Sequence, residues 1–212
     1  YRPPTPELKE LEDLIAFIQE DNWDFMRGMR RISPRVITEL MAKYDAELVS
    51  IFEGLDPEQE GLGVAWAGEM VSRNWFDVAR EYTEKWHHQQ QIRDATGRAP
   101  LYASDLFGPV LETFARGLPF ALRGLDPRRE SCIAVETTGT MRLSWTLREE
   151  AGGWSLWRDG EPDARTSVSI PAEVAWRVWT KSMDRGAARD RIEVSGNEAV
   201  VDGIVSFVAI MA

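Results

Sequence analysis

The chain has 212 residues, 43% of them hydrophobic and 28% charged, and this balance is typical of a globular protein that can bury a core without disulfides. Its formal net charge of −10 disfavours nucleic acids and anionic membrane surfaces as partners, because like charges repel. No apolar run approaches the roughly 18 residues that a membrane helix needs, and no signal peptide is visible. We therefore expect a cytoplasmic protein.

The first two helices are predicted from helical spacing of apolar residues and from their ends. Thr5-Pro6 is a capping residue followed by a proline, and the helix it begins is expected to kink near Asp21-Asn22. Ser33-Pro34 begins the second helix in the same way, and Gly54 ends it.

Two more helices follow a polar loop and a short apolar stretch. The third is predicted to begin near Ser72 or Asn74 and to end at Gly97. The fourth, over residues 105–122, is interrupted by prolines and a glycine. Four helices joined by modest loops predict a helical bundle over residues 1–124.

From about Ser131 the hydrophobic period changes to two, which predicts strands. The predicted strands are Cys132–Thr138, 141–147, 154–157, 166–170 and the short 192–194. A helix is predicted from Pro171, and residues 200–211 form a terminal helix or strand–helix segment. The fold class is thus α+β: a four-helix bundle followed, over residues 130–212, by a small antiparallel sheet with helices on one face. The single cysteine, Cys132, is predicted to be a core residue.

The third helix contains both histidines of the chain, His87 and His88. With Trp75 as the reference direction, its predicted core face contains Val78, Ala79, Tyr82, Trp86 and Gln89. The opposite side contains Glu84 and His88, together with Asp77, Arg80, Glu81 and Gln91. Taken alone, this side is an ordinary solvated surface; the alternative is that it faces a pocket.

Glu84 and His88 lie one helical turn apart, so both side chains can reach one ion. Catalytic zinc sites often combine imidazoles, a carboxylate and water. His87 is turned about 100° from His88 and is not expected to bind the same ion. The residues therefore offer two ligands, and the third is not identified.

Several motifs resemble those of the mycothiol-dependent maleylpyruvate isomerase family. They are EKWHHQQQIRDATG at 84–97, VAWAGE at 64–69, RISPRV at 31–36, AWR at 175–177 and VSGN at 194–197. This family combines a DinB-like metal-binding bundle with a sterol-carrier-like C-terminal domain, and the resemblance spans nearly the whole chain.

The resemblance implies a divalent metal, commonly zinc, held by His, Glu and His. Glu84 and His88 match the second and third ligands, and the first is expected on a helix upstream of Tyr1. The implied chemistry is activation of a thiol, mycothiol, that attacks a small electrophilic substrate in an isomerisation or a thiol transfer. The resemblance also implies an actinobacterial origin.

Further pocket candidates are His87, Trp66, Trp86, Arg93 and Arg177. Each has a plainer interpretation. The tryptophans suit core packing, Arg93 can pair with Asp94 or Glu81, and Arg177 can be a helix-surface charge. No residue matches the family's substrate-binding arginine with certainty, although Arg177 and Lys181 are candidates, so maleylpyruvate itself is not assigned as the substrate.

Two other functions stay open at this point. One is a non-catalytic binding or regulatory module that keeps the fold with an incomplete metal site, and the other is lipid carriage by the second domain. The sequence does not specify the oligomeric state, and a homodimer is one option.

Overall fold

The computed structural model describes residues 11–126, 128, 130–150, 153–159 and 164–209, with only the backbone of residues 11, 12, 14 and 15. The predicted helix start at Thr5-Pro6 lies outside these residues. The chain forms two compact units, Tyr1–Leu55 with Met211–Ala212, and Asp56–Ile210. Within the described ranges, no helix is both long and apolar enough to cross a membrane.

The first unit contains helices α1 (Leu11–Met29) and α2 (Pro34–Glu53). Helix α1 runs without interruption through the predicted kink position. The predicted ends of α2 are confirmed: the Ser33 hydroxyl accepts a hydrogen bond from the Val36 amide (3.4 Å), and the Gly54 amide donates to Ile51 (3.1 Å). Many apolar side chains of both helices are more than half exposed, namely Trp23, Phe25, Met41, Tyr44, Val49 and Ile51.

The second unit begins with a small two-stranded antiparallel sheet and three helices. These elements are β1 (Glu60–Gly61), β2 (Ser72–Arg73), α3 (Asn74–Ala95), α4 (Ser104–Ala115) and α5 (Leu118–Ala121). A short 3-10 turn, Ala65–Ala67, separates the two strands. The interrupted helix predicted over 105–122 is therefore two helices, α4 and α5, separated at Arg116 and Gly117.

A five-stranded sheet and three further helices complete this unit. The strands are β3 (Cys132–Thr138), β4 (Ser144–Glu150), β5 (Gly153–Arg158), β6 (Thr166–Pro171) and β7 (Glu193–Ser195). The helices are α6 (Ala172–Trp179), α7 (Arg185–Arg189) and α8 (Ala199–Ser206). The strand order is β5-β4-β3-β6-β7, so the α+β class holds.

The sheet is mixed, which corrects the prediction of an antiparallel sheet. Strand β3 pairs with β6 in parallel, with Ile133 opposite Thr166 and Val135 opposite Val168. β6 lies on the side of β3 opposite β4 and runs in the same direction as β3. Alternating hydrophobicity shows which face of a strand is buried, but it carries no information about strand direction.

One hydrophobic core joins the sheet to the helices of this unit. The cluster includes Ile133 and Val168 from the sheet, Trp86 from α3, Phe107 from α4 and Trp176 from α6. Helices α3 and α4 thus pack in the same compact unit as the sheet, and the four-helix bundle predicted over residues 1–124 is not confirmed. Compact units are defined by packing alone and are not the same as domain limits. The domain limits 1–124 and 130–212 therefore stay predictions.

The shared core predicts a large difference between two tryptophans. Trp86→Ala empties a buried position and should lower the free energy of unfolding by about 3–5 kcal/mol. Trp157→Ala removes the same atoms from a side chain that is 52% exposed and should cost less than about 1 kcal/mol. Urea unfolding followed by circular dichroism measures both, and equal losses would contradict the placement of α3 in this core.

Candidate functional site

Helix α3 ends where the sequence predicts. Its last turn is followed by Gly97 with φ +64°, a left-handed conformation that glycine adopts without steric cost. The amide of Arg98 donates to the Arg93 carbonyl at 2.9 Å, which satisfies a carbonyl of the last turn. The helix therefore ends at a defined residue, a few positions after His87 and His88.

Glu84 and His88 lie together on the solvent-exposed side of α3. The Glu84 Oε2 and His88 Nε2 atoms are 3.8 Å apart, and the side chains are 42% and 67% exposed. His88 Nδ1 lies 2.9 Å from the side-chain oxygen Oε1 of Gln91. Partial burial raises the pKa of the Glu84 carboxyl, a shift that the adjacent His88 opposes.

His87 is turned about 100° from His88 toward the core, with only 3% of its surface exposed, and the two imidazole rings stack with centroids 5.5 Å apart. Its Nε2 is 3.3 Å from the Ser182 hydroxyl, and its ring packs against the edge of Trp176. Its Nδ1 is buried without a hydrogen-bond partner among the described residues. Burial, assisted by the neighbouring His88, lowers the pKa of His87 to about 4, so the imidazole is neutral at pH 7.

The buried face of α3 differs from the predicted one, and this is a correction. The buried residues are Phe76, Thr83, Trp86, His87 and Gln90, whereas Trp75 is 36% exposed and Gln89 is exposed.

Thr83 and Gln90 tolerate burial because their polar atoms are hydrogen-bonded. Thr83 donates to the Arg80 carbonyl, and Gln90 bonds to Asp94 and to the Leu101 amide. Binary hydrophobic patterning assigns such residues to the surface.

Arg177, a predicted pocket residue, joins α6 to α3. Its guanidinium binds Asp94 at 2.8 Å and the Tyr102 hydroxyl at 2.8 Å, and it lies over the Trp176 ring. The Trp176 indole also donates to Tyr102, at 3.2 Å. These contacts give Arg177 a structural role, and they use donors that a substrate carboxylate would need.

The remaining predicted pocket residues are not gathered around Glu84 and His88. Trp86 is buried, stacks on Phe107 and donates to the Leu101 carbonyl. Arg93 donates to the Ala99 carbonyl at 2.7 Å and forms no ion pair with Asp94 or Glu81 within the described part of the chain. Trp66 packs on Phe76, which lies about 12 Å before Glu84 along the helix axis.

The sequence did not single out Tyr102 or Ser182. Tyr102 lies in the connection between α3 and α4, and Ser182 follows α6, 95 residues after its partner His87. No local pattern marks either residue, since their partners are distant in the sequence.

The residues that could hold a metal are Glu84 and His88. Across the residues with described positions, no group of three or more His, Cys, Asp or Glu side chains is arranged to hold a metal ion. The pair supplies one carboxylate oxygen and one imidazole nitrogen, both ordinary zinc donors. The His87 ring lies next to this pair, 5.5 Å from the His88 ring, and the expectation that it does not bind the same ion stays a prediction.

Neither a scan against protein-family models nor a search of curated proteins gave a match for the chain. Solved structures of sterol carrier protein domains do match part of it. Sterol carrier protein 2-like 2 from Aedes aegypti is 13% identical with a TM-score of 0.35, and the match covers 46% of this chain and 95% of that one.

Two further structures give similar values. The ubiquinone synthesis protein UbiJ-SCP2 is 19% identical with a TM-score of 0.33, covering 50% of this chain and 99% of that one. The sterol carrier protein domain 2 of Helicoverpa armigera is 11% identical with a TM-score of 0.29, covering 48% and 79%. Similarity at this level says nothing about what this chain binds, and its resemblance to maleylpyruvate isomerases stays a prediction.

The buried imidazole of His87 predicts a pH-dependent stability. Its pKa falls from 6.5 to about 4 on folding, so protonation favours the unfolded chain. The contribution of neutral His87 to the free energy of unfolding is fully present well above pH 6.5. It declines as the pH falls from 6.5 toward 4. Between pH 7.5 and pH 4.5 this group should account for a loss of about 2–3 kcal/mol in the free energy of unfolding.

Urea unfolding of the metal-free protein, measured with a chelator present, tests this expectation. His87→Gln should lose less stability than the wild type over that pH range, because glutamine does not titrate. His88→Gln, which changes the exposed neighbour, should keep most of the wild-type loss. An equal loss in His87→Gln and the wild type would contradict the burial of this imidazole.

Proposed function

We propose that the chain is a metal-dependent, thiol-using enzyme, an isomerase or a transferase, in which Glu84 and His88 hold a divalent cation, zinc. The observation that carries this proposal is the exposed carboxylate–imidazole pair on α3, with Glu84 Oε2 and His88 Nε2 3.8 Å apart. Two donors of a tetrahedral zinc, each 2.0–2.1 Å from the ion, lie about 3.3 Å from each other. A small side-chain rotation brings the pair to that spacing.

Gln91 supports the proposed role of His88. The side-chain oxygen of Gln91 is an acceptor, 2.9 Å from Nδ1, and it favours the tautomer with the hydrogen on Nδ1. In that tautomer the lone pair of Nε2 lies on the side of Glu84. Hydrogen bonds of this kind from the distal nitrogen are what orient metal-binding histidines in proteins.

A bound cation would lower the pKa of a coordinated thiol, so that the nucleophilic thiolate exists at neutral pH. Glu84 contributes a negative charge that offsets part of the charge of the cation. His87 stays neutral beside the site and adds no repulsion. In this proposal the thiol is mycothiol and the second substrate is a small electrophile.

The second candidate is a binding or regulatory module without catalysis. Two observations favour it: the described residues offer no third metal ligand, and the guanidinium of Arg177 is held by Asp94 and Tyr102. In that case Glu84 and His88 form only a surface pair, whose free energy is small because both side chains are solvated.

Metal content is the first test of the enzyme proposal. The protein is stripped with a chelator, dialysed against zinc and analysed by elemental mass spectrometry. The wild type should bind about one zinc ion per chain, and His88→Ala and Glu84→Gln should each weaken binding at least 10-fold, since each removes one ligand.

Glu81→Gln is the matched control, because Glu81 lies on the same polar side of α3 and pairs with Lys85 rather than with His88. This variant removes the same charge as Glu84→Gln and should bind zinc as the wild type does. The metal proposal is wrong if the wild type binds no stoichiometric zinc or if all three variants bind equally.

Calorimetric titration with mycothiol separates the two candidate functions. A metal-dependent thiol enzyme should bind mycothiol when loaded with zinc and at least 10-fold more weakly when metal-free. A module without a metal site should show the same weak or absent thiol binding in both forms.

A further inference from the structure

A cleft of about 290 Å³ opens in the second unit, between the 3-10 turn, α5 and the end of α8. Its walls are three aromatic side chains, Trp66, Phe120 and Phe207. The Trp66 and Phe207 rings are 5.9 Å apart and tilted by 57°. The cleft, called here the aromatic cleft, is separate from Glu84 and His88, since Trp66 contacts α3 about 12 Å before Glu84.

Two glycines fix the aromatic walls in place. A Cβ atom on Gly68 would overlap the Phe120 ring, and one on Gly117 would overlap the Phe207 ring. Each ring therefore packs directly on a glycine backbone, where any other residue would displace it.

Positive charge lies at the cleft while the chain as a whole is acidic. The guanidinium of Arg123, itself a lining residue, stacks 3.8 Å from the Phe120 ring centroid and donates to the Phe120 carbonyl. Arg185 donates to the carbonyl of Ser206, another lining residue, at 3.4 Å. Neither arginine forms an ion pair with a carboxylate of the described residues, although the formal net charge is −10.

We propose that the aromatic cleft binds a small aromatic carboxylate. The rings of the walls favour a flat aromatic ligand, through offset stacking and edge contacts. The guanidinium of Arg123 matches a carboxylate in charge and geometry: Nη1 donates to the Phe120 carbonyl, and the edge formed by Nε and Nη2 can bind both carboxylate oxygens. The volume, near the lower end of the range for ligand pockets, suits one or two fused rings.

The test uses 2-naphthoate as the probe and the uncharged 2-naphthylmethanol as its matched analogue. Binding to the full chain is measured by calorimetry and by ligand-observed NMR. The acid should bind at least 10-fold more tightly than the alcohol, because only the acid has a charge for Arg123. Absence of binding at millimolar concentration, or equal affinities for acid and alcohol, overturns the proposal.

Two cleft variants and one control variant locate the interaction. Arg123→Gln should weaken 2-naphthoate at least 10-fold and leave the alcohol unchanged, whereas Arg142→Gln, the same charge change at an exposed residue that does not line the cleft, should alter neither. Phe120→Leu, checked for folding by circular dichroism, should weaken both probes. An Arg123→Gln variant that binds 2-naphthoate as tightly as the wild type overturns the assignment even where the wild type binds it.

Discussion

The packing of α3 on α4, completed by side chains of α6, is the constraint on which the rest of the site depends. The Trp86 ring lies between Phe107, on which it stacks at 5.2 Å, and Trp176, which it meets edge-on at 5.3 Å. Around these rings the Arg177 guanidinium ties Asp94 to the hydroxyl of Tyr102. Aromatic packing excludes water, and the hydrogen bonds satisfy the polar groups that this exclusion buries. Together they fix the rotation of α3 about its own axis.

That rotation gives the two adjacent histidines different chemistry. Successive residues of a helix differ by about 100° in direction, so turning His87 into the core leaves His88 at the surface with Glu84. His87 is held neutral in a water-poor contact, with Nδ1 buried and unpartnered among the described residues. His88 remains solvated, between Glu84 and Gln91. One packing interaction therefore decides which imidazole is buried and which is solvated.

The second unit thus presents two chemically different features on one core. The Glu84–His88 pair is polar and suited to a cation, whereas the aromatic cleft is apolar with a positive charge at Arg123. Each depends on close packing elsewhere: the pair on the α3–α6 contact, and the cleft on the glycines beneath its rings. In both places the exposed side chains are oriented by residues packed behind them.

The sequence by itself determined the local features: the ends of α2 and α3, the strand at Cys132–Thr138, and the one-turn spacing of Glu84 and His88. Each follows from residues within a few positions of one another, through caps, glycine conformation and hydrophobic period. Only the tertiary structure decided the rest. The direction of β6, the grouping of α3 and α4 with the sheet, and the burial of His87 depend on partners far away in the chain. Tyr102 and Arg177, 75 residues apart, meet because the core brings the α3–α4 connection and α6 together, and no local pattern encodes such a meeting.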